Sequence, residues 1–371
     1  MNVLGIETSC DETAAAVVEA TGDPARPWRV RANVIASQTE IHREWGGVVP
    51  ELASRQHVRD ICGVVDRALA DAGLDWRGVD AIGVTQGPGL VGSLLVGVAF
   101  AKAAAAAIDR PVVAVHHLAG HIESIFLEHG PVPLPAVILV VSGGHTSLYL
   151  VEAPGQYQLV GRTRDDAAGE AYDKVAKLLG LGYPGGPVVD RRAQLGRDDA
   201  VDLPRPKFTH PDRNRLPAAL GRRAAAGQPV AEFSFSGLKT AVVRRIQERG
   251  APAVTRPATA AEAGTLTETD VNDVCASFQR VVVESLVERT FAIARQLSAR
   301  SVGIAGGVSA NSRLRRDAQA RGVRDGLPVF VPPLTLSTDN AAMIAAAALR
   351  KIERGEVSSL DFNALANMDI A

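Results

Sequence analysis

The chain has 371 residues, 46% hydrophobic and 22% charged, enough for about two domains and composed like a folded globular protein, which excludes wholesale disorder. Its 40 basic and 41 acidic residues sum to −1, so no global positive field marks it as a nucleic-acid binder. Cys10, Cys62 and Cys275 have no paired spacing, which excludes a disulfide framework and a cysteine-built zinc site and fits a reducing cytoplasm.

In chain order, Val3 to Thr8 reads as a strand that starts at once, without the basic opening of a signal peptide. A polar turn, Ser9 to Glu12, leads into a second strand, Thr13 to Ala20, and the Pro-containing Thr21 to Trp28 extends a hairpin. Asp80 to Ala105 is a strand, a glycine turn at Gly87-Pro88-Gly89 and a helix. The apolar run Gly89 to Ile108 approaches membrane-spanning length, but Ser93, Lys102 and its glycines favour a buried helix packed on a sheet, so no membrane is expected. His116 to Glu128 is a predicted helix. Val137 to Val141, the turn Ser142 to His145 and Thr146 to Ala153 repeat the first hairpin, and both hairpins end in Val-Glu-Ala. Arg300 to Gly322, around Gly306-Gly307, repeats the strand, turn and helix of Asp80 to Ala105. Two echoes in the same order imply an internal duplication into two similar α/β lobes, with the site expected in the cleft between them at strand carboxyl ends. The lobes are expected at 1–132 plus about 340–371, and at 133–339, with 250–268 a flexible loop.

Several constellations can carry chemistry. Gly87 to Gly92 matches G-x-G-x-x-G, but the acidic residue that should end the next strand is absent; His116-His117 stands there, so the string reads as a tight structural turn. His117 and His121, four apart on a helix, share a face. They are half of a metal site or simply a capped pair, and the residues alone leave both open. Leu118 occupies the place where a zinc protease needs its glutamate. The turns at Ser142-Gly143-Gly144 and at Gly306 to Asn311 suit either backbone contact with an anion or plain chain reversal. Asp165, Asp166, Glu170, Asp173 and Lys174 cluster around a helix start, ahead of a Gly185-Gly186 turn and Asp190. Arg191 to Arg245 holds 12 basic and 5 acidic residues, a local +7 that is either a solvated face or a phosphate-backbone contact.

Together the strings Gly5 to Thr13, Pro50 to Arg55, Gly87 to Gly92, His116 to His121, Val141 to Thr146, Asp165 to Lys174, Tyr183 to Pro187, Phe233 to Thr240, Gly306 to Asn311 and Ser337 to Asn340 resemble one family, the tRNA threonylcarbamoyladenosine transferases called TsaD. The match runs in family order over nearly the whole chain. The resemblance implies the duplicated actin/Hsp70-like (ASKHA) α/β fold. It implies transfer of the threonylcarbamoyl group from threonylcarbamoyl-AMP to N6 of adenine 37 in tRNAs reading codons that begin with A. It implies one divalent metal per subunit, Fe2+ or Zn2+, on His117, His121 and Asp339. The adenylate would lie on Val140, Val141, Ser142, Gly143, Gly144, Asp173, Gly186, Asp190 and Asn311. Asp11 and Glu12 would face the reacting group as catalytic residues. Implied partners are tRNA, a TsaB paralogue, a TsaE ATPase and a TsaC-type synthase that supplies the adenylate. A sugar or acetate kinase of the same fold would have no need for the histidine pair, and a non-catalytic paralogue would have lost these motifs.

Overall fold

The computed structural model describes residues 1–205, 218–248 and 266–370. Most of the expected 250–268 loop therefore lies outside the described residues, as do Lys207, His210, Arg213 and Arg215 of the basic run. In chain order come β1 (Asn2–Glu7), β2 (Glu12–Ala20), β3 (Trp28–Ser37), α1 (Thr39–Arg43), α2 (Pro50–Asp71), β4 (Ala81–Gly87), α3 (Val91–Ile108), β5 (Val112–His116) and α4 (His117–His129). Then follow β6 (Ala136–Val141), β7 (Thr146–Val151), β8 (Tyr157–Thr163), α5 (Ala168–Leu178), α6 (Gly185–Ala193), α7 (Ala218–Ala225), β9 (Ala231–Phe233), α8 (Ser236–Glu248), α9 (Glu268–Gln296), β10 (Ser301–Ala305), α10 (Ser312–Asp325) and β11 (Val329–Phe330). The chain closes with α11 (Leu334–Ser337) and α12 (Ala341–Glu353).

Among the described residues two sheets carry the fold, ordered β3-β2-β1-β4-β5 and β11-β10-β6-β7-β8-β9. Without β9 and read from its other edge, the second is β8-β7-β6-β10-β11, the same order as the first. The parallel pairs correspond as well: β1 with β4 and β4 with β5 in one sheet, β6 with β10 and β10 with β11 in the other. The duplication expected from the repeated hairpins is present as two copies of one topology. By contacts the chain divides into Met1–Pro133, Val151–Gln158 and Pro332–Ala371 as one unit, and Leu134–Leu150 with Leu159–Val331 as the other.

In the first unit the apolar pattern of β1 and β4 buries both strands almost completely. Gly5 and Gly83 stand opposite each other in the β1–β4 register. There α12 comes down onto the sheet, and a Cβ on Gly5 would lie 2.2 Å from the Ala341 carbonyl oxygen, one on Gly83 2.6 Å from the Ala348 Cβ. Ala341 to Leu349 are all buried, so α12 is a core helix whose alanines permit the close approach. The apolar helix α3, the one helix among the described residues long and apolar enough to cross a membrane, buries Leu94, Gly97, Val98, Ala101 and Ala105 and packs on β4.

A buried ion pair ties α12 to α4. Glu123 is fully buried and accepts from Arg350 Nη2 at 3.2 Å and from the Tyr157 hydroxyl at 2.6 Å, while the Arg350 guanidinium lies 4.4 Å over the Trp28 ring. Burial pushes the Glu123 carboxyl up in spite of Arg350. Replacing Arg350 by Met strands that carboxylate and is expected to lower the unfolding free energy by about 3 kcal/mol. Adding Glu123→Gln should recover much of the loss. Denaturant unfolding of the single and double variants measures both, and a single-variant loss below about 0.5 kcal/mol would contradict the pairing.

The second unit is built on a separate core in which β6, β7 and β10 contribute Val137, Leu139, Leu148, Val302 and Ile304, and α9 contributes Phe278, Val282, Leu286 and Phe291. Thr267 caps α9 with a reciprocal Thr267–Asp270 capping box.

Candidate functional site

The tightest constellation lies in the first unit. Strand β5 runs without a break into α4, because His116 serves as N-cap: its Nδ1 accepts from Leu118 N at 3.1 Å and its Nε2 meets the Met368 carbonyl at 3.1 Å. Burial pushes its pKa down to about 4, so it stays neutral and is occupied structurally. The helix then places His117 and His121 one turn apart, ring centroids 4.8 Å from each other. Asp339 arrives from the turn before α12. Asn340 fixes that turn: its Oδ1 accepts from Met343 N at 3.1 Å and its Nδ2 donates to the Thr338 carbonyl at 2.8 Å.

Asp339 Oδ1 lies 3.1 Å from His121 Nε2 and 3.6 Å from His117 Nε2. Ligands on a tetrahedral metal, about 2.0–2.1 Å from it, stand about 3.3–3.4 Å apart, so Asp339 lies from each histidine nitrogen about as a shared metal would place it, and all three donor atoms lie within 4.8 Å of one another. His121 is fully buried, and neither ring nitrogen has a hydrogen-bond partner. A buried ring nitrogen without a hydrogen bond is costly, and a cation shared between Nε2 and the nearby Asp339 carboxylate would remove that cost. These residues fit a metal.

The sequence reading missed what orients the first ligand. Glu7, fully buried at the end of β1, accepts from the Thr85 hydroxyl at 2.7 Å and faces His117 Nδ1 at 3.0 Å. Ser9 Oγ lies 3.2 Å from the same nitrogen, and Ser9 N donates to Glu7 Oε1. A carboxylate beside Nδ1 keeps the proton there and turns the lone pair of Nε2 toward Asp339, as outer carboxylates do at metal-binding histidines. Burial alone would lower the His117 pKa, but Asp339 and Glu7 outweigh it and raise it to about 9. A cation entering the cluster displaces that extra proton. One signal was available in the sequence: an acidic residue ending an otherwise apolar strand.

Asp11 lies in the β1–β2 turn and Glu12 opens β2; the Asp11 carbonyl accepts from Gln38 N at 2.9 Å and Glu12 Oε1 accepts from Ser37 Oγ at 3.4 Å. Burial, then the nearby carboxylates of Asp11 and Asp339, hold the Glu12 carboxyl well above the usual range.

The expected adenylate residues all fall in the second unit. Val140 and Val141 are buried at the end of β6, and Ser142 to Gly144 form the turn to β7, with Gly143 and Gly144 exposed. Ser142 N donates to the His145 carbonyl at 2.8 Å, so that N–H is taken within the turn. The start of α5 packs on this turn, Gly169 N donating to the Ser142 carbonyl at 3.2 Å, and Gly306 approaches the Val141 carbonyl so closely that a Cβ would sit 2.5 Å from it. Asp173 Oδ1 accepts from Gly185 N at 2.7 Å, beside the open Gly186. Asp190 accepts from Ser312 Oγ at 2.8 Å, from Asn311 Nδ2 at 3.3 Å and from Gln279 Nε2 at 3.0 Å. Gln279, a polar residue on the buried face of α9, was not foreseen; it also accepts from Asn311 at 2.8 Å and so holds Asp190 and Asn311 together.

The rest of the acidic cluster is structural. Lys174 Nζ pairs with Asp166 at 2.6 Å and Glu170 at 3.0 Å. Asp165 accepts from Ser234 Oγ, Phe235 N, and Ser236 N and Oγ, fastening the start of α8. Burial would raise its pKa, but these donors together lower it. Its contribution is therefore present above the unfolded carboxylate range and lost as pH falls through the depressed native value. Asp165→Asn is expected to cost about 1–2 kcal/mol at pH 7, a charged-acceptor effect reduced by exposure. The cost should shrink as pH falls below about 4. Thermal unfolding of both proteins from pH 7 to 3 tests this, and a constant difference across that range would contradict it.

The family described as TsaD, tRNA N6-adenosine threonylcarbamoyltransferase, matches residues 29–346. A protein of that name from Anaeromyxobacter dehalogenans (strain 2CP-C) is 50% identical over 363 residues, covering 98% of this chain and 97% of its own. One from Moorella thermoacetica is 48% identical over 369 residues, covering 100% and 97%. Among solved structures, the (R)-2-hydroxyglutaryl-CoA dehydratase component A of Acidaminococcus fermentans aligns with a TM-score of 0.49 at 13% identity, covering 96% of this chain and 100% of its own.

Proposed function

The chain belongs to the tRNA N6-adenosine threonylcarbamoyltransferase family and is a transferase, and from that premise we propose that it moves the threonylcarbamoyl group from threonylcarbamoyl-AMP to N6 of adenine 37 in tRNAs reading codons that begin with A. The observation that carries the reading is the cluster of His117, His121 and Asp339, with donor atoms 3.1 and 3.6 Å apart and a buried His121 that has no hydrogen-bond partner. A kinase of comparable fold, working with carboxylate-held magnesium, has no use for such a cluster.

In the proposed reaction N6 attacks the carbamoyl carbon, the bond from that carbon to the AMP phosphate oxygen breaks, and AMP leaves with the electron pair. His117 and His121 through Nε2, and Asp339 through Oδ1, hold a divalent metal, iron or zinc. When bound it supplies Lewis acidity toward the carbonyl or phosphate oxygen, since three protein ligands leave positions open. Glu7 and Ser9 hold the His117 ring in the ligating tautomer. The N–H groups of Gly143 and Gly144 offset charge on the adenylate, and Asp173, Gly186, Asp190 and Asn311 hold its nucleotide part. Glu12, with Asp11 as its neighbour, accepts the N6 proton. Adenine 37 must leave the anticodon-loop stack to be reached. The work is cytoplasmic and is shared with a TsaB paralogue and a TsaE ATPase, while a TsaC-type synthase supplies the donor.

Reconstitution tests this reading: the purified chain with synthase, threonine, bicarbonate, ATP, unmodified tRNA and both partners, with nucleosides read by mass spectrometry. Threonylcarbamoyladenosine at position 37 is the expected product. Unmodified tRNA in the presence of intact donor and partners would overturn it.

A further inference from the structure

We propose that His57 and His42, linked through Gln38, are positioning residues that hold the β1–β2 turn, and with it Asp11 and Glu12, in its working place. This deepens the proposed function and rests on it.

His42, His57, Gln38 and Thr13 are all buried at 1% exposure or less. Two backbone groups anchor the ends of the chain of hydrogen bonds that joins them. At one end Val49 N, which can only donate, points to His42 Nδ1 at 3.3 Å. His42 Nδ1 is therefore the acceptor, its Nε2 carries the proton, and it donates to Gln38 Oε1 at 3.2 Å. That fixes the Gln38 amide, whose Nε2 faces His57 Nδ1 at 3.3 Å and the Ala53 carbonyl at 3.4 Å. At the other end the Cys10 carbonyl, which can only accept, lies 3.0 Å from His57 Nε2. His57 must donate there, leaving Nδ1 to accept from Gln38 and from the Thr13 hydroxyl at 2.8 Å.

Every proton in the relay is thus determined by its ends, and all bonds run one way, from Val49 N–H to the Cys10 carbonyl. A second proton on His57 Nδ1 would set N–H against the Gln38 amide N–H and force the Thr13 hydroxyl to turn from donor to acceptor. Burial pushes the His57 pKa down, in keeping with the neutral ring that these bonds require.

What the relay holds is the turn. His57 takes the Cys10 carbonyl, Gln38 N takes the Asp11 carbonyl, and Ser9 at the near end is tied to Glu7 and His117. The turn is gripped on one side by the metal cluster's supporting residues and on the other by two histidines from α1 and α2 that touch none of the proposed reactants. A fully satisfied buried network of this kind specifies one conformation. A shift of about 1 Å in a catalytic group can cost about a hundredfold in rate.

The test compares His57→Gln, whose terminal amide can still donate to the Cys10 carbonyl, with His57→Phe, which keeps the ring volume but cannot. Both are assayed as full-length, metal-loaded chain with partners and tRNA. The expected result is kcat within about threefold of wild type for H57Q and at least about tenfold lower for H57F, with KM for the donor, metal content and cooperative melting alike in all three. If H57F does not fold, Gln38→Met, which cuts the link but keeps the Gln38 N–H bond to Asp11, must show the same loss in kcat. Wild-type kcat in H57F or Q38M, or equal losses in H57Q and H57F, overturns the inference. A wild-type chain that transfers nothing under these conditions instead overturns the function beneath it, and the inference with it.

Discussion

Replacing His121 by alanine is expected to abolish metal binding and to lower threonylcarbamoyl transfer by about a thousandfold or more, since a Lewis acid contributes several kcal/mol of transition-state stabilisation. The fold should survive. His121 makes no hydrogen bond that other parts of the structure depend on, and its neighbour Ser124 bonds only its backbone carbonyl. Elemental analysis, circular dichroism and the transfer assay separate the two effects. A metal-loaded H121A with ordinary activity would contradict the assignment of this residue.

The second large effect concerns Glu12. Glutamine keeps its size and removes its basicity, so Glu12→Gln is expected to lower kcat by about 10²–10⁴, the usual range for loss of a general base. Affinity for the adenylate should not change. The sign of the pH dependence follows from the raised carboxyl pKa. The base works only when ionised, so the wild-type rate should climb as pH rises through that elevated value and level off above it. In Glu12→Gln the climb should vanish. Asp11→Asn serves as the comparison, because Asp11 neighbours Glu12 and contributes to raising its pKa. Equal, wild-type rates in both variants would remove the β1–β2 turn from the chemistry.

Much of the architecture was legible in the sequence because the duplication is written in local patterns. The two Val-Glu-Ala hairpins became β1–β2 and β6–β7, and the two strand–glycine–helix units became β4–α3 and β10–α10, occupying equivalent places in sheets of one order. The helix bearing the histidines begins one residue later than expected, because His116 acts as its cap. The partnership of His117 and His121 with Asp339 is another matter. The spacing of two histidines shows a shared face, but the third donor lies more than two hundred residues away, and only the family resemblance linked them. Its position depends on α12 settling onto Gly5 and Gly83, a fit between two strands and a helix that no local pattern encodes.

Polar residues in apolar surroundings were the signal left unread. Glu7, Gln279, His57 and Gln38 are all buried; Glu7, Gln279 and Gln38 are hydrogen-bonded to residues proposed to act on donor, metal or base, and His57 to the carbonyl of Cys10, next to Asp11. Glu7 lay in a recognised motif and His57 beside one, Gln38 and Gln279 in neither, and in every case the hydrogen-bond partners are set by tertiary contact. In the other direction, Asp165, Asp166, Glu170 and Lys174 looked functional as a cluster and are accounted for by pairing among themselves and by fastening α8.

The most direct test of the central claim is to strip the metal from the purified chain with a chelator, return Fe2+ or Zn2+ in steps, and measure bound metal and transfer to tRNA at each step. The account predicts no transfer in the stripped protein and a rise in proportion to bound metal that ends at one ion per chain. H117A, H121A and D339A should stay at the baseline. Full transfer by stripped protein that is verified free of metal, or metal-dependent transfer that persists in all three variants, would contradict it.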